Sequence, residues 1–387
     1  MRSEIRNTNG SVLVLLGAGA SIDAGVLHTS RMISDINNML ANNPEWIKYR
    51  PIYKHLKSLY GKEYNSDNGS VIRGDLNIEQ LVGNLTELLL LLNGEHILYP
   101  FFKSWIDLFQ NLYGFEDVKN FRSKIEDKLK EWIVPNQLKL DYFRQLLIFA
   151  KENSGSGLRV FTLNYDKCIE GAFQEHDDIT GLLLERGFGK EKQNATWNTR
   201  NFDEKNDLDS QPNAEKSKYI FLYKMHGSID WDRNDKQELI KTNNLSIREL
   251  IFGTQQKVKA HDPYLYYVYQ FRTSTLNAKL IIVCGYSFFD DYINRILHQS
   301  LLSNSDEKIL ICDYFEDSDL PLSEEREKER YIFYSDILQP QNQEQIKLWF
   351  GKAPAFFEFL SMDNLETLFP PDPEEELFFS NTSTEEI

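Results

Sequence analysis

Ser11-Val12-Leu13-Val14-Leu15-Leu16-Gly17-Ala18-Gly19-Ala20-Ser21 is the stretch whose reading decides the fold. Its first half is a continuous apolar run, the pattern of a strand buried on both faces of a parallel sheet. The run stops at two glycines spaced by one residue, and Asp23–Leu40 beyond them reads as a helix. The same letters imitate a secretion signal, because Arg2 and Arg6 precede Val12–Leu16 and Ala18-Gly19-Ala20 resembles a cleavage site. The apolar run before Gly17 is shorter than the roughly 7–15 residues of such a signal, and Glu4 weakens the basic start. A strand entering a glycine turn explains the letters better.

Outward from this stretch, strand character returns at Leu158–Leu163, Tyr219–Met225, Leu280–Cys284 and Lys308–Cys312, with a further candidate at Arg330–Tyr334. From Pro51 to Ala150 the pattern is helical and amphipathic, as in Ile78–Leu92 and Val118–Ile133, and shows no convincing strand. Strands alternating with helices predict an α/β fold: a Rossmann-like doubly wound parallel sheet with an inserted α-helical domain. Residues 1–50 and 151–340 are assigned to the sheet domain, 51–150 to the helical insertion, and 341–387 to a C-terminal helix and acidic tail. The tail carries Asp372, Glu374, Glu375, Glu376, Glu385 and Glu386 around Phe378 and Phe379. The polar segment Gln174–Lys218 is too long for an ordinary connection and reads as functional or mobile.

Composition narrows the function. Hydrophobic residues make up 41% of the 387, enough for a large core and incompatible with global disorder. The net charge of −16 repels phosphate backbones and argues against nonspecific nucleic-acid binding. No stretch approaches the roughly 20 apolar residues of a membrane span. Cys168, Cys284 and Cys312 are far apart and form no CxxC pair, so neither a disulfide framework nor a cysteine-rich zinc site is expected. They read as small core residues in a reducing cytoplasm.

Four strand ends carry the chemistry. Gly17, Ala18, Gly19 and Ser21 follow the first strand, where glycines let a backbone approach a pyrophosphate, although the spacing departs from GxGxxG at Ile22. Thr162-Leu163-Asn164-Tyr165-Asp166 ends the second; Asn164 and Asp166 there point into a ligand crevice, or cap the helix that follows. Met225-His226-Gly227-Ser228 ends the third, and of the seven histidines only His226 follows a buried strand and precedes a glycine. A neutral imidazole in that place takes a proton near pH 7, or is a hydrogen-bonded structural group. Gly285 and Ser287, in Cys284-Gly285-Tyr286-Ser287-Phe288, suit a phosphate or ribose, with Asp290 available to cap the next helix. Asp313 closes the strand Lys308–Cys312 as an acid able to hold ribose hydroxyls.

Together these motifs resemble the sirtuin-like superfamily. Gly17–Ser21, Thr162–Asp166, His226–Ser228 and Gly285–Phe288 occur in that family's order, over Ser11–Leu40 and Gly157–Tyr314. The protein deacylases of the family carry four zinc-binding cysteines, which three cannot supply, and a Gly-Ile-Pro-x-Phe-Arg stretch where Gly25-Val26-Leu27-His28-Thr29-Ser30 stands, with Arg31 one position late. What remains is similar to the bacterial sirtuin-like NADases of antiphage defence, most like the type paired with a HerA-family ATPase. The resemblance implies NAD as substrate, no zinc or other cofactor, hydrolysis of the nicotinamide–ribose bond, a cytoplasmic homo-oligomer and an ATPase partner. It implies that Asn164 positions the nicotinamide ribose or the attacking water, Asp166 holds the carboxamide, and His226 acts as general base or fixes a ribose hydroxyl. A dehydrogenase on the same fold would need a hydride-transfer residue that the helical stretch does not offer. A noncatalytic sensor that binds NAD or ADP-ribose and signals by assembly is the alternative.

Overall fold

The computed structural model describes residues 12–369 except 59–62, 67–68, 73–75, 97–102, 105, 108, 110–112, 136, 154–156, 177–180, 190–194, 209–218, 252–260 and 315–322. The strands are β1 (Val12–Leu16), β2 (Glu63–Ser66), β3 (Gly69–Ile72), β4 (Gly157–Thr162), β5 (Leu183–Glu185), β6 (Tyr219–Lys224), β7 (Trp231–Arg233), β8 (Leu239–Lys241), β9 (Leu280–Cys284), β10 (Lys308–Asp313) and β11 (Ile346–Phe350). The helices are α1 (Thr29–Asn42), α2 (Pro44–Ile47), α3 (Arg50–Lys57), α4 (Ile78–Leu92), α5 (Phe115–Ile133), α6 (Phe143–Asn153), α7 (Cys168–Glu175) and α8 (Arg200–Leu208). They continue with α9 (Tyr264–Asn277), α10 (Asp291–Ser303), α11 (Glu324–Leu338), α12 (Ala353–Phe359) and α13 (Met362–Leu368).

β1 lies at the centre because neither of its faces can meet water. Val12, Val14 and Leu16 turn to one helical layer, and Leu13 and Leu15 to the other. Around it runs a seven-stranded sheet in the order β11-β10-β9-β1-β4-β6-β5, with every neighbouring pair parallel. The chain builds outward from β1 through β4 to β6 on one side, then returns to place β9, β10 and β11 on the other. The order therefore reverses between β1 and β9, which is where an open α/β sheet leaves a crevice at its carboxyl edge.

On the first face α6, α7, α12 and α13 bury Phe143, Leu147, Ile169, Phe356, Phe357 and Leu365. On the second, α8 to α11 bury Phe202, Tyr267, Phe271, Leu297 and Leu338. Each such side chain contributes about 1.5–3 kcal/mol of transfer free energy. A third core unites α1 to α5, through Ile36, Trp46, Tyr53, Leu85, Phe121 and Ile125. It also takes in Ile229, Ile247 and Leu250, which follow β6, so this helical module packs directly on the carboxyl edge of the sheet. Its helix α4 starts at a reciprocal cap: the Asn77 side chain accepts from the Gln80 amide at 2.8 Å, and the Gln80 side chain accepts from the Asn77 amide at 3.0 Å.

Several local expectations are corrected. The helix expected from Asp23 begins only at Thr29, because Ala18–Ser21 forms a 3₁₀ turn and Gly25 takes φ +100°. Arg330–Tyr334 is helical, not a strand. Its continuous aromatic and β-branched run imitates a strand, but Ser323 caps α11, and Tyr334 and Leu338 are buried one turn apart. The helical stretch contains an antiparallel hairpin, β2–β3. The region after 340 adds a parallel edge strand, β11, before two short helices, and the acidic tail lies outside the described residues. The segment Gln174–Lys218 contributes β5 and α8, and Trp197 Nε1 donates to Tyr267 Oη at 2.8 Å. Of the aromatics in the helical stretch, Phe109 and Tyr113 pack into the third core, whereas Tyr99, Phe101, Phe102 and Trp105 lie outside the described residues.

Glu307, beside the start of β10, is fully buried, and Ser300 Oγ lies 2.7 and 2.6 Å from its two carboxylate oxygens. Burial pushes its pKa from the ordinary 4.5 up to about 8, against the opposing hydrogen bond from Ser300. The native state thus keeps a proton that the unfolded chain has lost. This contribution to stability is complete below pH 4.5 and disappears as the pH rises through about 8. Glu307→Gln is expected to flatten that slope and stabilise the fold at pH 8.5 by on the order of 1–3 kcal/mol. Melting temperatures measured from pH 5 to 9 check this, and an unchanged slope in the variant would refute it.

Candidate active site

Every strand end singled out from the sequence lies on the carboxyl edge of the sheet. At the point of reversal, the loops after β1 and β9 touch through backbone. Gly17 N–H donates to the Cys284 carbonyl at 3.0 Å, and Gly19 N–H to the Gly285 carbonyl at 2.9 Å. A Cβ on Gly19 would lie 2.6 Å from Gly285 Cα, and one on Gly285, at φ +70°, 2.1 Å from Ala20 N. The glycines are therefore needed first for the approach of one loop to another. From the α6 side, Tyr142 Oη donates to the Ala20 carbonyl at 2.6 Å and pins the turn. Ala18 is exposed, Gly19 is partly exposed, and Ser21 is buried.

Asn164 ties the second strand end to this turn. Its Nδ2 donates to the Gly17 carbonyl at 2.9 Å and to Ser21 Oγ at 3.1 Å. Asp166 Oδ1 accepts from the Cys168 amide at 2.9 Å, the first amide of α7, while remaining beside Asn164. Ser21, Asn164 and Asp166 line one small cavity, together with Thr162, Phe143, Glu170 and Lys224. The three side chains brought together here are carboxamide, carboxylate and hydroxyl, a set able to orient a planar polar group.

His226 follows β6 and is buried, with Nε2 3.3 Å from Asp290 Oδ2. Gly227 behind it takes φ +90°, and a Cβ there would meet the Glu249 carbonyl at 2.0 Å. A carboxylate facing Nε2 favours the proton on that nitrogen and leaves Nδ1 as the proton acceptor. Asp290 does two jobs, because its Oδ1 also accepts from the Tyr292 amide at 3.1 Å and caps α10. From the sequence only the cap was legible; the pairing with His226 joins residues 64 positions apart and had no local signal.

The remaining expected residues sit farther along the edge. Gly285 belongs to the loop contact, and Ser287 is exposed on the same loop. Asp313 ends β10, two strands from β1, and its carboxylate is already engaged: Arg330 Nε donates to Oδ2 at 2.7 Å and the Tyr314 amide to Oδ1 at 2.9 Å. Arg330 also donates to Tyr334 Oη at 2.7 Å.

A group of buried charges beneath the site was not anticipated. Glu170, Arg186, Lys224 and Asp230 are each no more than 8% exposed. Arg186 Nη2 lies 3.0 Å from both Glu170 Oε1 and Asp230 Oδ1. Burial opposes ionisation of Asp230, but the charge of Arg186 and its hydrogen bonds, with Lys224 and Ser228, hold the carboxyl well below the usual range. The signal available in the sequence was a lone charge closing an apolar strand, Lys224, and a lone acid within the apolar start of α7, Glu170.

The three cysteines are free and buried, Cys284 and Cys312 being register partners on β9 and β10. Among the described residues, Asp141, Glu175 and His176 bring possible metal ligands within 4.8 Å of one another. No helix among the described residues is long and apolar enough to cross a membrane.

Comparison with known proteins adds a single positive finding, since no curated protein matches the chain. Residues 158–334, from β4 through His226 and the Gly285 loop into α11, match the model of a family described as SIR2-like domain, which supports a sirtuin-like, NAD-related domain in this stretch.

Proposed function

We propose that the chain is an NAD hydrolase, cleaving the nicotinamide–ribose bond to give nicotinamide and ADP-ribose. The observation that carries this reading is the gathering of these groups on the carboxyl edge of one parallel sheet: the two glycine loops meet, Asn164 binds the turn after β1, and the His226–Asp290 pair follows β6, the neighbour of β4. The glycine loops around Gly17, Ala18, Gly19, Ser21, Gly285 and Ser287 suit the pyrophosphate, and Asp313, with Arg330 beside it, the adenosine ribose. Asp166 suits the carboxamide of the leaving group, and Asn164 the nicotinamide ribose.

The chemistry asks little of the protein. The pyridinium leaves with the electron pair of the breaking C1′–N bond and becomes neutral, so it needs no general acid. Water supplies the new C1′–O bond and gives up a proton to His226 Nδ1, while Asp290 stabilises the imidazolium that forms. The site's main work is holding the ribose, placing the water and stabilising an oxocarbenium-like centre among buried dipoles. A deacylase would need a four-cysteine zinc module that three buried cysteines do not provide.

The deciding experiment is to incubate the purified chain with NAD, alone and with an ATPase partner, and identify the products. His226→Ala is expected to lower turnover about 10²–10⁴-fold without loss of fold. Asp290→Asn keeps a good helix cap and is expected to lose rate with little change in melting temperature. Wild-type turnover in folded His226→Ala would remove the assignment.

Zinc content gives an independent check. Elemental analysis is expected to find no stoichiometric zinc, and chelators should leave turnover unchanged; one zinc per chain would revive the deacylase reading.

Control is part of the proposal, because unrestrained NAD loss would kill the host cell. We infer a homo-oligomer gated by a partner ATPase in antiphage defence. Light scattering is expected to show an assembly, and a strict monomer fully active alone would refute this gating.

A further inference from the structure

We propose that Lys224 is a positioning residue: its buried ammonium sets the pose of the Asn164–Asp166 turn against the His226 loop. The inference rests on the hydrolase reading above and assigns residues that reading does not use.

Lys224 is the last residue of β6, two positions before His226, and is only 1% exposed. Its ammonium donates to the backbone carbonyl of Asp166 and lies 3.3 Å from Glu170 Oε1. Glu170 is in the first turn of α7, whose first amide donates to Asp166 Oδ1. Arg186, just past β5, bridges Glu170 to Asp230, and Asp230 accepts from Ser228 Oγ at 2.6 Å within the loop that follows His226. Two strand ends that must cooperate are thus joined by a chain of four charges. Lys224 and Glu170 line the same small cavity as Ser21, Asn164 and Asp166.

Stability alone does not account for this arrangement. Each ion taken out of water costs several kcal/mol, and apolar side chains of similar volume often serve a core equally well. What apolar groups cannot do is hold a carbonyl in one direction. The Asp166 carbonyl lies along the chain between Asn164 and the start of α7, so a donor fixed on it limits rotation of the turn. The surrounding charges balance: Lys224 and Arg186 face Glu170 and Asp230, and the partly exposed Lys167 lies 3.7 Å from Asp230.

The test separates position from stability by keeping that balance. Single removal of Lys224 leaves Glu170 undercompensated and is expected to destabilise the fold. The double variant Lys224→Met, Glu170→Gln removes one charge of each sign and retains an acceptor for Arg186. It is expected to melt close to wild type, to lose kcat 10- to 100-fold, and to raise KM for NAD by no more than the loss in nicotinamide affinity. Calorimetry with nicotinamide alone is expected to show at least tenfold weaker binding. A double variant with wild-type kcat and nicotinamide affinity would overturn the proposal, leaving the cluster a purely structural part. Should this pair fail to fold, Lys224→Gln, Glu170→Gln carries the same expectations, since the shorter amide cannot reach the Asp166 carbonyl. If the wild-type chain binds nicotinamide but never releases it from NAD, the hydrolase reading falls while the nicotinamide arm still decides the role of Lys224. A wild-type chain that does not bind nicotinamide would overturn the role of Lys224 as well.

Discussion

Two peptide planes facing each other, with no side chain between them, set the geometry on which the rest of this molecule depends. The hydrogen bond from Gly19 to Gly285 joins the ends of β1 and β9 across the reversal of the sheet. Because both residues lack Cβ atoms, the loops meet at a spacing that any other residue would forbid. The turn after β1 can then stay tight, and a tight turn brings the Gly17 carbonyl within reach of Asn164. The second strand end is thereby indexed to the first. A wider contact would loosen Asn164 and Ser21 together.

The sheet separates two kinds of physical work. Its central strands β1 and β9 are apolar through their length, and the clusters packed on either face are hydrophobic. Polar groups gather where the strands stop: backbone amides lose their ladder partners there, and side chains must supply hydrogen bonds. Several residues serve both needs. Asp166 and Asp290 each accept a hydrogen bond from an amide at a helix start while standing at a strand end, so these carboxylates are held by secondary structure rather than by extra packing. That economy has a drawback for reading sequences, because a cap and a reactive carboxylate look alike.

The fold was legible because burial leaves a plain trace. Val12–Leu16 and Leu280–Cys284 have no polar face, and such runs admit few arrangements. Arg330–Tyr334 misled because a short apolar run suits a helix segment as well as a strand, and α11 packs through Tyr334 and Leu338. The edge strand β11 escaped notice because its last four residues are only partly buried. At the site, motifs contiguous in the chain were readable, as in Asn164 with Asp166. Partnerships across the fold were not: nothing near His226 announces Asp290, and nothing near Arg186 announces Glu170 and Asp230. Composition could not show them either, since a balanced buried cluster leaves the net charge unchanged.

The helical module leaves the chain between β1 and β4, the two strands whose ends form the glycine turn and the Asn164–Asp166 turn. It then rests on residues that follow β6, through Ile229, Ile247 and Leu250. Tyr165 stands at this seam, its hydroxyl donating to the Ile251 carbonyl at 2.6 Å and its ring packed against the module. Roof and wall are consequently one mechanical piece. A torque applied to the outer helices has a short, rigid path to Tyr165, whose two chain neighbours are Asn164 and Asp166. A shift of those helices would therefore be felt at the turn that carries Asn164 and Asp166 before it reached the rest of the sheet.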